Sequence, residues 1–148
     1  MFEGAVSPLS SLGLSNGGGL NIPWALEVTI TGSQFSNLKA KNGGAIYYHQ
    51  QSDNTIVALD ARYRAQSYSF TIKQTEFVNN DAELRGGTLY LHDIKAGDIK
   101  SSNFLNSKAE QGGAIYFWCE PSTLAQQKVK NLDCALELGQ LGFDNCTA

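Results

Sequence analysis

Proline, methionine, charged residues and long apolar runs are all scarce in this chain. Three prolines and one methionine stand against fifteen glycines, which indicates many tight corners and little long helix. The charged fraction, 17%, is low for an ordinary soluble domain. No apolar run approaches the roughly 18 residues of a membrane-spanning helix, so no span is predicted in this segment. The net charge of −3 disfavours nucleic acid or an anionic membrane as a partner.

Cysteine is also sparse, and its three residues lie near the C-terminus. Cys119, Cys134 and Cys146 match no zinc-binding spacing, so neither a metal site nor a cofactor is predicted. A disulfide between Cys119 and Cys134 would form in an oxidising compartment and contribute about 3 kcal/mol. Three buried thiols are the alternative. The N-terminus lacks the basic and continuous apolar regions of a signal peptide, so none is predicted there.

Glycine is abundant, and it recurs in pairs ahead of short apolar segments. The pairs are Gly17-Gly18, Gly43-Gly44, Gly86-Gly87 and Gly112-Gly113. A pattern F-x-N-x-x-A begins at Phe35, Phe77, Phe104 and Phe143. Such self-similarity is the signature of a repeat protein. The first glycine pair has no matching phenylalanine ahead of it, and the last phenylalanine has no glycine pair after it. We therefore interpret residues 1–148 as one segment excerpted from a longer repeat protein.

The residues after each glycine pair alternate with a period of two, which is typical of strands with one buried face. The two inward columns hold Leu20, Ile46, Leu89 and Ile115, then Ile22, Tyr48, Leu91 and Phe117. Successive copies lie too far apart for a hairpin, and no helical pattern separates them. These features predict an all-β fold, a parallel β-helix (solenoid) of about four coils stacked about 4.8 Å apart.

Glycine and asparagine are predicted at the corners of the coils. One glycine of each pair is expected to need a positive φ, and the backbones of adjacent coils approach closely there. These corner glycines include Gly43, Gly44, Gly86, Gly87, Gly112 and Gly113. Asparagine tolerates the left-handed region, and stacked amides can bond along the axis. The asparagines expected at the preceding corner are Asn37, Asn79, Asn106 and Asn145.

The segments NGGAIYY (42–48), RGGTLYL (85–91) and QGGAIYF (111–117), with the phenylalanine pattern, resemble a known family. They are similar to the repeats of polymorphic outer-membrane proteins, marked by FxxN and GGA[ILV], and to the pectin-lyase-like β-helix surface proteins of protists. The likeness covers about residues 17–49, 68–118 and 134–148. Phe77 and Asn80 match FxxN strictly, and the other copies place asparagine one residue earlier. The resemblance implies a right-handed β-helix at a cell surface, used for adhesion or as an extracellular scaffold.

Two long loop excursions interrupt the pattern, at about residues 50–67 and 119–133. Both leave after the same column, so they are predicted to emerge on one side. That side carries outward rings that are candidates for stacking on a neutral glycan. These candidate ligand-binding residues are Tyr47, Tyr90, Tyr116, His49, His92 and Trp118. The alternatives are that the rings only stabilise neighbouring strands, or that the excursions cover them.

Enzymatic activity is not predicted, although the same solenoid carries polysaccharide lyases and hydrolases. A glycosidase needs two carboxyl groups at a set separation, and the acids of this chain are not paired by the repeat alignment. Those acids are Asp53, Asp60, Asp93 and Asp98. His49 and His92 lack a third metal ligand in the pattern. Asn145 begins an N-x-[ST] glycosylation signal, which a stacked corner amide would resist.

The function that the sequence predicts is that of an extracellular structural scaffold, a rod or fibre on a cell surface. Hydrophobic columns supply its cohesion, and its partners are neighbouring coils or copies of the same protein end to end, since exposed terminal coils would otherwise pair edge to edge. The alternative is a glycan-binding adhesin that uses the outward aromatic side and binds surface glycans. A polysaccharide lyase or hydrolase is the distant alternative.

Overall fold

The computed structural model describes residues 2–3, 15–23, 25, 27–49, 69–94, 96–119 and 134–148. This part of the chain contains short strands and no helix, hence no helix that could span a membrane. In chain order, the strands are β1 (Phe2–Glu3), β2 (Leu20–Ile22), β3 (Glu27–Thr31), β4 (Gln34–Ser36), β5 (Lys39–Asn42), β6 (Ile46–His49), β7 (Ser69–Lys73), β8 (Glu76–Val78), β9 (Asp81–Arg85), β10 (Leu89–His92), β11 (Gly97–Leu105), β12 (Ile115–Trp118) and β13 (Leu136–Asp144). Apart from Cys119, the predicted excursions (about 50–67 and 119–133) lie outside the described residues.

The strands form three sheets, and every pair within them is parallel. One sheet has the order β1-β4-β8-β11-β7-β3, with β13 also paired to β11. The second has the order β12-β10-β6-β2, and the third contains β5 and β9. Each strand pairs with its counterpart in another repeat, because a parallel pair needs a long connection between its members. The prediction of an all-β fold is confirmed for the described residues, and the parallel sheets fit a β-helix.

The register of the sheets is the same as the alignment of the sequence repeats. Phe77 of β8 pairs with Phe35 of β4 on one side and Phe104 of β11 on the other. Phe104 pairs in turn with Phe143 of β13. The four rings stack with centroids 4.9–5.2 Å apart. We call the strands contributed by one repeat a rung, and each column of like residues a ladder.

The hydrophobic core follows the ladders along the stack. The largest fully buried side chains include Tyr48, Phe35, Phe70, Phe77, Phe104, Ile46, Ile72, Leu89, Leu91 and Ile99. Aromatic side chains bury about 150–250 Å² each, so this ladder of rings dominates the apolar area removed from water. The predicted inward columns are buried in β6 and β10, whereas Phe117 of β12 is exposed. In the described part of the chain, β12 pairs only with β10, so no strand covers its far side.

The glycine pair combines the two constraints expected of it. Gly43 has a φ of +61°, in the left-handed region that favours glycine. A Cβ on Gly44 would collide with the backbone carbonyl oxygen of Gly87 in the next rung. The first glycine therefore makes the corner, and the second lets two rungs approach each other.

The asparagine ladder lies at the preceding corner. All four residues have a left-handed φ of 51–56°: Asn37, Asn79, Asn106 and Asn145. Asn79 donates its Nδ2 to Oδ1 of Asn37 at 3.1 Å, and Asn106 donates to Asn79 at 2.9 Å. Asn145 donates to Asn106 at 2.9 Å. The ladder thus has a direction, because each amide donates to the preceding rung.

In two repeats, the side chain of the residue after the corner asparagine also joins two rungs. Asn80 is fully buried; its Nδ2 donates to the Phe35 carbonyl at 3.0 Å, and its Oδ1 accepts from the Leu38 amide at 3.2 Å. Cys146 holds the equivalent place in the last rung, and its Sγ donates to the Phe104 carbonyl at 3.4 Å. Buried polar groups need such partners, so this position links the rungs through the backbone.

The first repeat differs from the sequence interpretation, which assigned no phenylalanine to the glycine pair at Gly17. The backbone of β1 places Phe2 in register with Phe35. Phe2 lies 15 positions before Gly17, whereas Phe35 lies 8 positions before Gly43. A search at fixed spacing missed Phe2, because extra residues separate this strand from its corner.

Candidate functional site

The most distinctive side of the molecule is the outward face of β6, β10 and β12. Parallel pairing places Tyr47, Tyr90 and Tyr116 in one row. Tyr90 stacks on Tyr47 with centroids 4.8 Å apart and planes 8° apart, and on Tyr116 at 5.4 Å and 11°. Both distances are close to the spacing between parallel strands, about 4.7–4.9 Å, so the pairing itself imposes the stack.

Outward orientation does not give these rings the exposure that the sequence interpretation assigned to them. Tyr90 is 8% exposed and His92 is 9% exposed. Both faces of Tyr90 are covered by its neighbours in the row. Burial raises the pKa of the Tyr90 phenol above its usual value, and the adjacent Tyr47 adds to this shift. His49, His92 and Trp118 form a second row two residues further along these strands, and Trp118 is its exposed member.

A pair of histidines lies beside the tyrosine row. His49 and His92 are in register, and their rings stack with centroids 4.2 Å apart and planes 24° apart. Each imidazole meets the tyrosine two positions earlier edge to face, with centroids 6.4 Å apart for Tyr47 and His49 and 6.2 Å apart for Tyr90 and His92. The rings are therefore held in position by contacts along the strand and between strands.

Asp93 joins the two histidines, and the sequence alignment had given no third ligand. A carboxylate oxygen of Asp93 and one nitrogen from each imidazole all lie within 4.8 Å of one another. Oδ2 of Asp93 lies 3.5 Å from Nε2 of His92. That nitrogen is buried and makes no hydrogen bond. Two imidazoles and a carboxylate form a set of ligands suited to a transition metal.

The backbone explains how Asp93 reaches this side. Strict alternation would direct His92 and Asp93 to opposite faces of the sheet. Asp93 instead has a φ of 57°, and its amide donates to the Trp118 carbonyl at 2.9 Å. The left-handed residue breaks the alternation at the end of β10 and brings its carboxylate next to the histidines. Aspartate is enriched in this region of φ, but that tendency alone could not identify the site.

A disulfide borders the cluster. Cys119 and Cys134 are bonded, with their Cα atoms 6.2 Å apart, and both sulfur atoms lie within 4.8 Å of a carboxylate oxygen of Asp93. The alternative of three buried thiols is thus wrong, and Cys146 is the free cysteine. Because Cys119 follows β12 and Cys134 precedes β13, the bridge closes the second excursion at its base.

The remaining candidates have different surroundings. Asp98 lies 3.0 Å from the Lys100 ammonium group and 3.8 Å from that of Lys73. Two further candidate acids, Asp53 and Asp60, lie outside the described residues. In Asn145, the side-chain nitrogen that glycosylation would modify is the nitrogen that donates to Asn106. The absence of enzymatic activity stays a prediction.

Comparisons with protein-family models, with curated proteins and with solved structures find no match for this chain. The resemblance to polymorphic outer-membrane proteins therefore stays a prediction from the sequence motifs.

Proposed function

We propose that this chain is a right-handed parallel β-helix of about four coils that serves as an extracellular structural scaffold, a rod or fibre on a cell surface. The observation that supports this proposal is the continuity of the ladders up to an exposed apolar edge. Leu138 and Phe143 of β13 are each 53% exposed, whereas Ile99 and Phe104, their partners in β11, are fully buried. The last described rung thus presents the surface that other rungs use for stacking.

The chemistry of this edge fits another rung of the same pattern. Leu138 continues the ladder of Ile99, and Phe143 continues the ladder of Phe104, so another rung would place similar residues against them. The side-chain Oδ1 of Asn145 corresponds to the Oδ1 atoms with which Asn37, Asn79 and Asn106 each accept a hydrogen bond from the next rung. A second copy of this chain could supply these complementary groups. We therefore propose that this edge is covered by neighbouring coils or by copies of the same protein end to end.

Two features favour an extracellular place for such a scaffold. The bond between Cys119 and Cys134 is of a kind that persists in oxidising environments and is rare in the cytosol. The bond also joins the residue after β12 to a residue just before β13, so both ends of the second excursion are held at the stack. These features support the proposed cell-surface location.

The stacked rings favour the scaffold over the glycan-binding alternative. A sugar ring binds an aromatic side chain through the face of the ring, and both faces of Tyr90 are covered by tyrosines. The contacts instead resemble cross-strand pairs, which contribute about 0.2–1 kcal/mol each to a sheet. The row therefore stabilises the stack at the exit of the excursions.

Analytical ultracentrifugation and electron microscopy of the purified chain test the proposal. We expect concentration-dependent filaments with an axial repeat of about 4.8 Å. Leu138→Asp and Phe143→Asp should each abolish them, because a carboxylate would be buried at the contact. Lys41→Asp is the matched control, since it introduces the same group at an exposed position of β5.

Monomers at all concentrations would overturn assembly of the scaffold by stacking. So would filaments that persist in both edge variants. In either case, binding of the monomer to a glycan array would move the assignment to a single-molecule adhesin. Circular dichroism of each variant checks that the strands remain folded.

A further inference from the structure

We propose that His49, His92 and Asp93 bind one divalent transition-metal ion, such as Zn²⁺, and that the ion cross-links two adjacent rungs. This proposal does not depend on the filament: a monomeric chain would carry the same site. His49 ends β6 in one rung, and His92 ends β10 in the next. An ion held by both residues would join the two strands at the place where the first excursion leaves.

The donor atoms are close to the separations that such an ion requires. Zinc binds imidazole nitrogen and carboxylate oxygen at about 2.0–2.2 Å in tetrahedral geometry, which separates two ligand atoms by roughly 3.3–3.6 Å. Nε2 of His92 and Oδ2 of Asp93 are already 3.5 Å apart. The whole set lies within 4.8 Å, so ligand shifts of roughly 1 Å would complete the approach.

His92 supplies an independent indication of a ligand. The residue is 9% exposed, and its buried Nε2 faces the Asp93 carboxylate at 3.5 Å without making a hydrogen bond. Buried polar atoms almost always have partners, and an exception calls for an explanation. A metal ion between the imidazole and the carboxylate would satisfy this nitrogen.

The surrounding structure holds the ligands in place. Edge-to-face contacts with Tyr47 and Tyr90 fix the orientation of the two imidazoles. The adjacent disulfide ties β12 to the segment before β13 and lies against Asp93. Such supporting contacts determine how well a metal site is organised before the ion arrives. The sulfur atoms, being bonded to each other, are not thiolate ligands.

The composition of the chain makes a direct experiment possible. Its two histidines are the two proposed imidazole ligands, so in an NMR spectrum of protein labelled with ring-¹⁵N-histidine, the signals come from these two imidazoles. Zn²⁺ is titrated into the oxidised full chain in a Cys146→Ser background, which removes the free thiol. We expect one ion per chain by calorimetry, shifts in both imidazoles, and a higher melting temperature.

Two substitutions test the ligand set. Asp93→Asn keeps a residue that tolerates the left-handed backbone and removes the charge, and His92→Gln removes an imidazole. Each should weaken Zn²⁺ binding by at least about tenfold. Asp98→Asn is the control, because Asp98 lies among lysines outside the cluster, and it should bind as the parent does.

Two results would overturn the assignment. One is an Asp93→Asn variant that binds Zn²⁺ as tightly as the parent. The other is a titration in which neither imidazole signal shifts at saturating Zn²⁺. Stability without metal should be similar in Asp93→Asn and in the parent, so a loss of binding in that variant would not report unfolding.

Discussion

The inner rungs and the last rung contain the same residue types in the same register, yet they differ in burial. Phe77 is fully buried, whereas Phe143 is 53% exposed. Both rings stack on Phe104, at 4.9 Å and 5.1 Å. Phe77 also stacks on Phe35, while β13 pairs only with β11 among the described strands. In a stacked repeat fold, burial depends on having neighbours on both sides, and stability is close to a sum of nearest-neighbour contacts.

The largest effect is expected from truncating the phenylalanine ladder. Phe77→Ala should lower the free energy of unfolding by about 3–5 kcal/mol, because it opens a cavity between two rungs. Phe143→Ala should cost about 1 kcal/mol or less, since half of the side chain is already in water. Urea unfolding of the two variants measures the difference. Equal losses would show that the last rung is covered in solution.

The second glycine of the corner pair should show the next largest difference. Gly44→Ala pushes a Cβ against the backbone of the next rung, which is itself held by further strands, so we expect a loss of about 2–3 kcal/mol. Gly113→Ala meets the backbone of Thr147, in a rung that no further described strand covers. Its cost should be about 1 kcal/mol, near the low end for an overpacked site. Thermal unfolding by calorimetry distinguishes the two, and a Gly113 variant as unstable as the Gly44 variant would contradict the comparison.

The asparagine ladder should show a smaller difference of the same kind. Asn79 both donates and accepts within the ladder, whereas Asn145 only donates. Replacing either by alanine also strains the left-handed backbone, which costs about 1–2 kcal/mol. Asn79→Ala should therefore exceed Asn145→Ala by about 0.5–1 kcal/mol, the net value of one hydrogen bond. Chemical denaturation of both variants gives the difference, and its absence would show that the exposed amides contribute only through φ.

The smallest effect is a dependence of stability on alkaline pH. The folded pKa of Tyr90 is raised above its usual value of 10.0 by burial, so the folded state binds the phenol proton more tightly than the unfolded state. This contribution to stability is fully present below the unfolded pKa and is lost as the pH rises through the folded pKa. Stability should fall more steeply above pH 10 in the parent than in Tyr90→Phe. Identical pH profiles would show that Tyr90 is solvated in the folded protein.

Much of the architecture could be predicted from the sequence, because each position of a ladder needs the same type of residue in every rung. The F-x-N pattern and the glycine pairs give the register of β4, β8 and β11 and the left-handed corners. The crowding of cysteines allowed a bond between Cys119 and Cys134. Phe2 could not be found in this way, since its distance from the next corner differs from that in the other repeats.

Which residues stack on which follows from the sequence alone, because a period-two pattern that recurs in several copies has one alignment that matches like with like. How much of each ladder is covered, and what lies beside it, depends on the folded structure. Tyr90 is buried by neighbours that are distant in the chain. Phe143 is exposed because, among the described strands, β13 pairs with β11 alone. Parallel pairing brings His49 and His92 together from distant strands. The left-handed backbone of Asp93 then turns its carboxylate toward the two imidazoles. Local spacing fixes the register of a strand, but burial and site geometry depend on contacts between residues that are far apart in sequence.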